Sequence, residues 1–237
     1  MVLGLLRSVR SDERSGGDQR VSEAGFHASL PDPAISSACR RNRFVTGDRV
    51  CWAGMSSMMG IVFTEFFDMV EHRHGLRMSE QLLDAVAPAN EGAYTAVGNY
   101  DHQDMMRYVA ELARDTGRSV DMILAEFGEY LFEVFVRRYP GLIESAGSAI
   151  EFLGSVEAFI HVEVVKLYPD AELPHFEYPV REQGRLVMVY RSSRWLAPFA
   201  LGLIRGCIAH FGDALEVRMT DLSEQGTRAR FEITPVA

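Results

Sequence analysis

Cysteine is scarce in this chain of 237 residues. The three cysteines, Cys39, Cys51 and Cys207, form no CxxC pair and no Cys/His spacing typical of zinc sites. This usage argues against a disulfide framework and favours a reducing, cytoplasmic setting. Long apolar runs are also missing, and the mean hydropathy is close to zero. We therefore expect neither a membrane span nor a membrane partner.

The signatures of common enzyme classes are absent as well. The sequence contains no glycine-rich phosphate loop, no dinucleotide fingerprint, no nucleophile elbow and no zinc-protease helix. It has 33 carboxylate residues, yet no pair of them stands out as an acid/base couple. The net charge of −9 makes the chain a poor ligand for nucleic acid. The sequence alone therefore predicts no enzymatic activity and no nucleic-acid partner.

The first 57 residues differ in composition from the rest. They hold 8 arginines and 6 acidic residues, a net charge of +2. Because the whole chain has a net charge of −9, the remaining residues have a net charge of −11. They show no sustained apolar period, which predicts a disordered extension over 1–57 and a folded domain over 58–237. A charge of +2 is too small to indicate a nucleic-acid arm. A translation start at Met55, Met58 or Met59 is an open alternative.

The apolar period changes once along the folded part. Before residue 174 it is helical, and after it the pattern alternates as in strands. This order predicts an α+β fold, with an N-terminal helical part followed by a short antiparallel sheet of about four strands. Helices are predicted over 63–71, 79–86, 102–116, 119–138, 150–168 and 196–211. Strands are predicted over 176–180, 185–190, 214–219 and 228–233.

The helix predicted over 150–168 carries His161 near its centre and ends before Pro169. Two neighbours of His161 on the same helical face, Gly154 and Ala158, are small. They would leave room for a flat group beside the imidazole. A lone histidine on such a helix is, however, more often a packed core residue.

A second motif, Tyr190-x-Ser192-x-Arg194, closes a predicted strand. In an extended chain residues two apart point to one side, so two hydroxyls and a guanidinium would converge. This set suits a carboxylate, because arginine pairs with it bidentately and the hydroxyls add neutral donors. The alternative is an ordinary solvated strand end.

Together the two motifs resemble the H-NOX family, the haem nitric oxide/oxygen binding domains related to the haem domain of soluble guanylate cyclase. The resemblance runs from about Met58 to about Glu232 and includes 59–63, 126–130 and 201–206. It implies that haem b lies between the helical part and the sheet, with His161 as the proximal iron ligand. It further implies that Tyr190, Ser192 and Arg194 hold the propionates and that Pro174 presses on the macrocycle.

The resemblance also bears on gas selectivity. It places the first predicted helix over the distal face of the haem, so that Phe63 and Phe66 would line the gas pocket. Family members that hold dioxygen have a tyrosine five residues past the motif arginine, where this chain has Phe199. Phenylalanine cannot donate a hydrogen bond, so we expect nitric oxide and carbon monoxide to bind and dioxygen to be excluded. Tyr94 and Tyr108 remain open as alternative distal donors.

Signalling is implied by the resemblance alone. In the family, nitric oxide breaks the bond between iron and histidine, after which the haem could flatten over Pro174 and move the sheet through the clamp. No further domain follows the last predicted strand, so we expect a partner in trans, either a histidine kinase or a cyclic-di-GMP enzyme. Two alternatives stand beside this sensor. A haem oxidase or peroxidase would need distal polar groups where Phe63, Phe66 and Phe199 stand. A haem-free adaptor would use His161 only as a core residue.

Overall fold

A computed structural model describes residues 57–167, 171–223 and 227–236. The predicted extension lies outside these residues, apart from Ser57. Tyr168 and Pro169, at the predicted end of the His161 helix, and the connection over 224–226 also lie outside them. Within the described part, no helix is long and apolar enough to span a membrane. Helices come first and an antiparallel sheet follows, which confirms the α+β prediction.

The helical part opens with a small two-stranded ribbon. Strand β1 (Ser57–Met59) pairs antiparallel with β2 (Asn99–Asp101). Between them run helices α1 (Gly60–His74) and α2 (Leu76–Val86), separated by Gly75 at a φ of 84°. A positive φ of this kind favours glycine, which has no β-carbon to clash.

An aspartate and a serine side chain cap the next two helices. Asp101 accepts a hydrogen bond from the Gln103 amide at 3.0 Å and begins α3 (His102–Thr116). Ser119 accepts one from Met122 at 3.2 Å and begins α4 (Val120–Arg138). The predicted start of one helix, at residue 79, is wrong.

Ser79 lies inside α2 and not at its start. The helix begins three residues earlier, at Leu76, directly after Gly75. The Ser79 side chain is buried, and its hydroxyl has no hydrogen-bond partner among the described residues.

The helix predicted over 150–168 is not continuous. After a single helical turn, α5 (Pro140–Ile143), the chain forms α6 (Ala149–Ser155). A π-helical segment (Val156–Ile160) follows, and α7 (His161–Leu167) completes the run. His161 donates its backbone N–H to Val156, five residues back, which is the π-helical bond.

The sheet contains four antiparallel strands in the order β3-β4-β6-β5. These are β3 (His175–Glu182), β4 (Arg185–Arg191), β5 (Leu215–Asp221) and β6 (Arg228–Pro235). Helix α8 (Ala197–Phe211) connects β4 to β5. The four strands and this helix confirm the prediction, with ends displaced by at most two residues.

Helices α4 and α8 cross at two glycines. A β-carbon on Gly128 would overlap the backbone of Phe199, and one on Gly202 would overlap the carbonyl of Ala125. The crossing joins two hydrophobic clusters. One is built around helices α1 to α4, and the other between α6, α8 and the sheet. Leu203 packs against both clusters, so α8 forms part of the boundary between them.

Candidate cofactor site

The π-helical segment has an identifiable cause. The hydroxyl of Tyr178 donates to the Leu153 carbonyl at 3.0 Å and accepts from the Glu157 amide at 3.3 Å. In a regular α-helix those two backbone groups would bond each other directly. A side chain inserted into the hydrogen-bond ladder interrupts a helix at that point. Tyr178 therefore separates α6 from the turn that carries His161.

Strand β3 directs Tyr178 at the helix by a bulge. Its pairing with β4 shifts register between Glu177 and Val180, so one extra residue is accommodated there. Pro179 lies within the bulge and has no amide to donate, which is tolerated because β3 is an edge strand. Tyr178 is partly buried, and burial raises the pKa of its phenol, so the hydroxyl remains a neutral donor.

His161 is held by a carboxylate on the preceding turn. Its Nδ1 lies 3.2 Å from Glu157 Oε2, which also accepts the backbone N–H of Phe176 at 3.0 Å. The other oxygen, Oε1, lies 2.6 Å from Nδ1 of His175. One carboxylate thus joins the π-helical segment, the His161 ring and the start of β3. Glu157 is therefore the partner of His175 as well as of His161.

The state of His161 suits a metal ligand. Its side chain is only 16% exposed, and the ring lies against Phe176 with the centroids 5.8 Å apart. Burial lowers the pKa of His161 below its usual value, although Glu157 opposes that shift. Because the carboxylate accepts from Nδ1–H, Nε2 is the nitrogen left without a proton in the neutral ring. A neutral imidazole with bare Nε2 is the form that binds iron.

The motif at residues 190–194 is a turn and not extended chain. Strand β4 ends at Arg191, and the Arg194 amide donates back to Ser192 Oγ at 3.0 Å. Tyr190 donates its hydroxyl to the Arg194 carbonyl at 3.3 Å. The three residues are together as predicted, but through local turn bonds. Both hydroxyls serve the turn, which leaves the Arg194 guanidinium to bind a neighbouring group.

Arg194 is a buried cation, 7% exposed. Its guanidinium donates to the carbonyl of Ser57 at 2.9 Å and to the carbonyl of Glu172. Among the described residues, no carboxylate lies within ion-pair distance of it. Burial lowers the pKa of Arg194, as expected for a charge removed from water, and the charge of the nearby Glu172 opposes that shift. A buried guanidinium that hydrogen-bonds to carbonyl oxygens is a fitting site for an added carboxylate.

Two further predictions concern this side of the site. Pro174 lies partly buried, directly before β3 and two residues after Glu172, whose carbonyl Arg194 binds. Arg181 occupies part of the space predicted beside Gly154, since a β-carbon there would approach its guanidinium. That guanidinium in turn lies over the Tyr178 ring, 4.6 Å from its centroid. An open pocket remains on this face, lined by Gly154 and Arg181 among others.

The predicted distal phenylalanines belong to the helical cluster. Phe63 and Phe66 are fully buried in α1, and Phe199 of α8 is partly buried. Phe127 connects them, with ring centroids 5.3 Å from Phe66 and 5.2 Å from Phe199. Phe63 instead stacks on Tyr94 at 4.4 Å. The aromatic side chains thus form one continuous apolar surface from α1 to α8.

These residues provide one neutral imidazole, one buried cation and an aromatic wall. Within the described residues, no group of three or more His, Cys, Asp or Glu side chains could hold a metal ion by itself. A flat, anionic cofactor that brings most of its own metal ligands would suit these groups. The fold and the site residues therefore indicate a cofactor-binding domain.

Comparison with known proteins identifies the family. The haem-NO-binding family model matches residues 59–219, more than half of the chain. The chain belongs to this family, the H-NOX domains, which bind haem and sense gases. No curated protein sequence matches the chain.

Solved structures agree with this assignment. The chain is 38% identical to an H-NOX protein from K. algicida in its Fe(II) unliganded state, with a TM-score of 0.73 over 76% of this chain and 97% of that one. It is 33% identical to the H-NOX from Shewanella woodyi in the Fe(II)CO state bound to IWP-051, with a TM-score of 0.66 over 76% and 95%. An H-NOX protein from S. oneidensis in the Fe(II)NO state, 24% identical, shares the fold with a TM-score of 0.70 over 76% and 100%.

Sequence reasoning missed two residues of the site. Glu157 was visible four residues before His161 on the same helical face, but its spacing alone gave it no role. Tyr178 lies in a strand that pairs with β4, and its contact with the helix depends on a bulge that the alternation of residues does not reveal. Tyr178 belongs to β3 and Glu157 binds the β3 backbone, whereas neither the His161 motif nor the motif at residues 190–194 includes β3.

Proposed function

We propose that this protein is a haem b-based sensor of nitric oxide in which His161 is the axial ligand and Arg194 binds a propionate. The observation that carries the proposal is the burial of Arg194 without a carboxylate partner among the described residues. Leaving a buried charge unpaired is costly, so a permanent anionic ligand accounts for it. When bound, haem supplies a ferrous iron with an open position for a diatomic gas.

The protein residues have separate roles in this proposal. His161 presents Nε2 as the ligand, because Glu157 takes the proton-bearing Nδ1. The turn of Tyr190 and Ser192 fixes the backbone of Arg194, so the guanidinium is presented in one orientation. A propionate would replace the carbonyls of Ser57 and Glu172 as its partner. Pro174 would press its ring against the cofactor.

Selectivity for nitric oxide and carbon monoxide over dioxygen follows from the aromatic wall. Phe63, Phe66 and Phe199 are apolar and have no hydrogen-bond donor on their side chains. Bound dioxygen carries partial negative charge and needs such a donor, whereas the other two gases do not. The same lack of polar groups weighs against an oxidase or peroxidase, which must polarise an O–O bond.

We also propose that the signal is delivered to a second protein in the cytoplasm, in trans. A histidine kinase or a cyclic-di-GMP enzyme is the partner class that the family resemblance implies. The contacts of Arg194 support the idea, because its guanidinium reaches one carbonyl in β1 and one in the segment before β3. Exchange of Arg194 between the propionate and these carbonyls would change its contacts at both places.

Absorption spectroscopy of the purified protein tests the haem assignment. We expect a Soret band after reconstitution with haem, its loss in His161→Ala, and its recovery when imidazole is added. His210→Ala, which removes an exposed histidine on α8, should keep the band.

Arg194→Gln should weaken haem retention by removing the cation. Arg191→Gln is its matched control, because Arg191 is exposed and pairs with Glu177 at 3.0 Å. A wild-type protein without a Soret band, or a His161→Ala protein with an unchanged one, would overturn the assignment.

A further inference from the structure

We infer that Glu157 is a positioning residue for the His161 ligand, holding its Nδ1–H and tying it to strand β3. This inference rests on the proposed haem function and goes beyond it, because it assigns how firmly the axial ligand is held and by which part of the fold.

The Glu157 carboxylate has three partners. Its Oε2 accepts from the His161 ring and from the Phe176 backbone, while Oε1 lies against His175. A carboxylate has about four acceptor positions, so these three donors can bind it together. Glu157 is fixed from three sides and cannot rotate away without breaking bonds to β3.

The carboxylate affects the tautomer and the basicity of the His161 imidazole. A carboxylate that accepts from one ring nitrogen of a histidine fixes the tautomer and raises the basicity of the other nitrogen. Such a partner is commonly found behind metal-ligating histidines, and removing it lowers metal affinity. Here it would strengthen the bond that His161 makes. The side chains are partly shielded, with 16% of His161 and 31% of Glu157 exposed, so solvent screens the pair incompletely.

The Glu157–His161 pair differs from an ordinary surface pair on the same stretch of helix. Glu163 and Lys166 on the next turn lie 2.7 Å apart in a similar helical arrangement. The lysine is 62% exposed, however, and among the described residues the pair has no hydrogen bond or ion pair to the sheet. Glu157 instead carries a hydrogen bond from the β3 backbone. The difference gives Glu157 a second function, which is to connect the axial ligand with the sheet.

That connection has a mechanical consequence. Phe176 is the second residue of β3 and pairs with Tyr190 of the Arg194 turn. The carboxylate therefore links His161 to the strand that lies beside the propionate-binding motif. A change in the position of the His161 ring alters the Glu157 bonds and is felt at the start of β3. Glu157 thus makes β3 part of the response to ligand binding.

The test compares Glu157→Gln with Glu163→Gln in the haem-loaded protein. Glutamine retains an oxygen that can accept the Phe176 N–H, so the strand contact survives while the charge is lost. We expect the iron–histidine stretching frequency of the reduced protein, measured by resonance Raman, to fall in Glu157→Gln. It should stay at the wild-type value in Glu163→Gln. Haem transfer to apomyoglobin should be about 10-fold faster in Glu157→Gln, at the lower end of the effect of such partners.

A second variant tests the same idea in the opposite direction. His175→Gln removes the competitor at Oε1, so more of the carboxylate charge is available to His161. The stretching frequency should rise. A fall in His175→Gln, or an unchanged frequency in Glu157→Gln, would overturn the inference while a normal Soret band leaves the haem assignment standing. Absence of a Soret band in the wild type would overturn both.

Discussion

The hydroxyl oxygens of Tyr94 and Tyr108 lie 3.1 Å apart inside the helical cluster. Tyr108 is fully buried, and Tyr94 stacks on Phe63. Burial raises the pKa of both phenols, so both remain protonated. These two tyrosines bring hydroxyl groups into the aromatic wall. Their mutual hydrogen bond engages them with each other, which favours a structural role over a role in binding gas.

Tyr108→Phe tests that structural role. The change removes one hydroxyl and leaves Tyr94 without this partner, which should lower the free energy of unfolding by about 0.5–1.5 kcal/mol. Chemical denaturation measures the loss. The spectrum of the haem protein in air should remain that of the wild type. A gain or loss of an oxy species in this variant would show that the pair contacts the bound gas.

Phe199→Tyr introduces a donor at the position that the family resemblance singles out. Phe199 is partly buried beside Phe127, so the new hydroxyl would project among apolar rings. We expect the variant to form an oxy species in air, because the hydroxyl can stabilise the charge on dioxygen. Phe211→Tyr at the end of α8 is the control and should behave like the wild type. An air-insensitive Phe199→Tyr protein would place Phe199 away from the gas.

Tyr178→Phe removes the hydroxyl that interrupts the helix before His161. Without it, Glu157 N–H and the Leu153 carbonyl can bond directly, and the π-helical segment can become regular helix. One residue fewer in the turn would rotate His161 about the helix axis by about 100°. We expect a weakened iron–histidine bond and faster haem loss. A variant with the wild-type stretching frequency and haem retention would contradict this role for Tyr178.

Gly202→Ala tests the crossing of α4 and α8. The added methyl group would meet the Ala125 carbonyl, and backbone cannot move aside as a side chain can. We expect a loss of about 1–3 kcal/mol or more from overpacking, and displacement of Phe199 from the aromatic wall. Gly141→Ala is a matched control, because no atom lies within 4 Å of its added carbon. Equal unfolding midpoints for the two variants would refute the close-packing explanation.

The order of helices and strands was predictable because each element has its own period, its cap or its turn. Ser119 illustrates this, since it caps its helix through a local hydrogen bond and the predicted helix begins there. The break before His161 was not predictable, because it depends on Tyr178, a residue distant in sequence. The convergence at residues 190–194 was foreseen for the wrong reason, since the residues meet through a turn that also uses backbone groups. Local periodicity cannot report either kind of contact.

The site was foreseen only where a motif had a recognisable spacing. His161 and Arg194 each belong to such a motif, and the structure places both in partly or fully buried positions. Their assigned roles in binding haem stay predictions. The contacts of Glu157 with His175 and with the Phe176 backbone depend on the position of β3 against the helix, which the sequence does not give. The difference reflects sequence distance, because a contact over 18 residues leaves no periodic trace.

The most direct test of the account is the absorption spectrum of the reduced protein under nitrogen, after exposure to air, and after addition of nitric oxide. His161 ligation and the apolar wall together predict a five-coordinate ferrous Soret band that nitric oxide shifts and air leaves unchanged. A stable oxy spectrum in air would contradict the proposed selectivity while retaining the haem. A reconstituted protein with no Soret band would contradict the central claim that His161 binds haem iron.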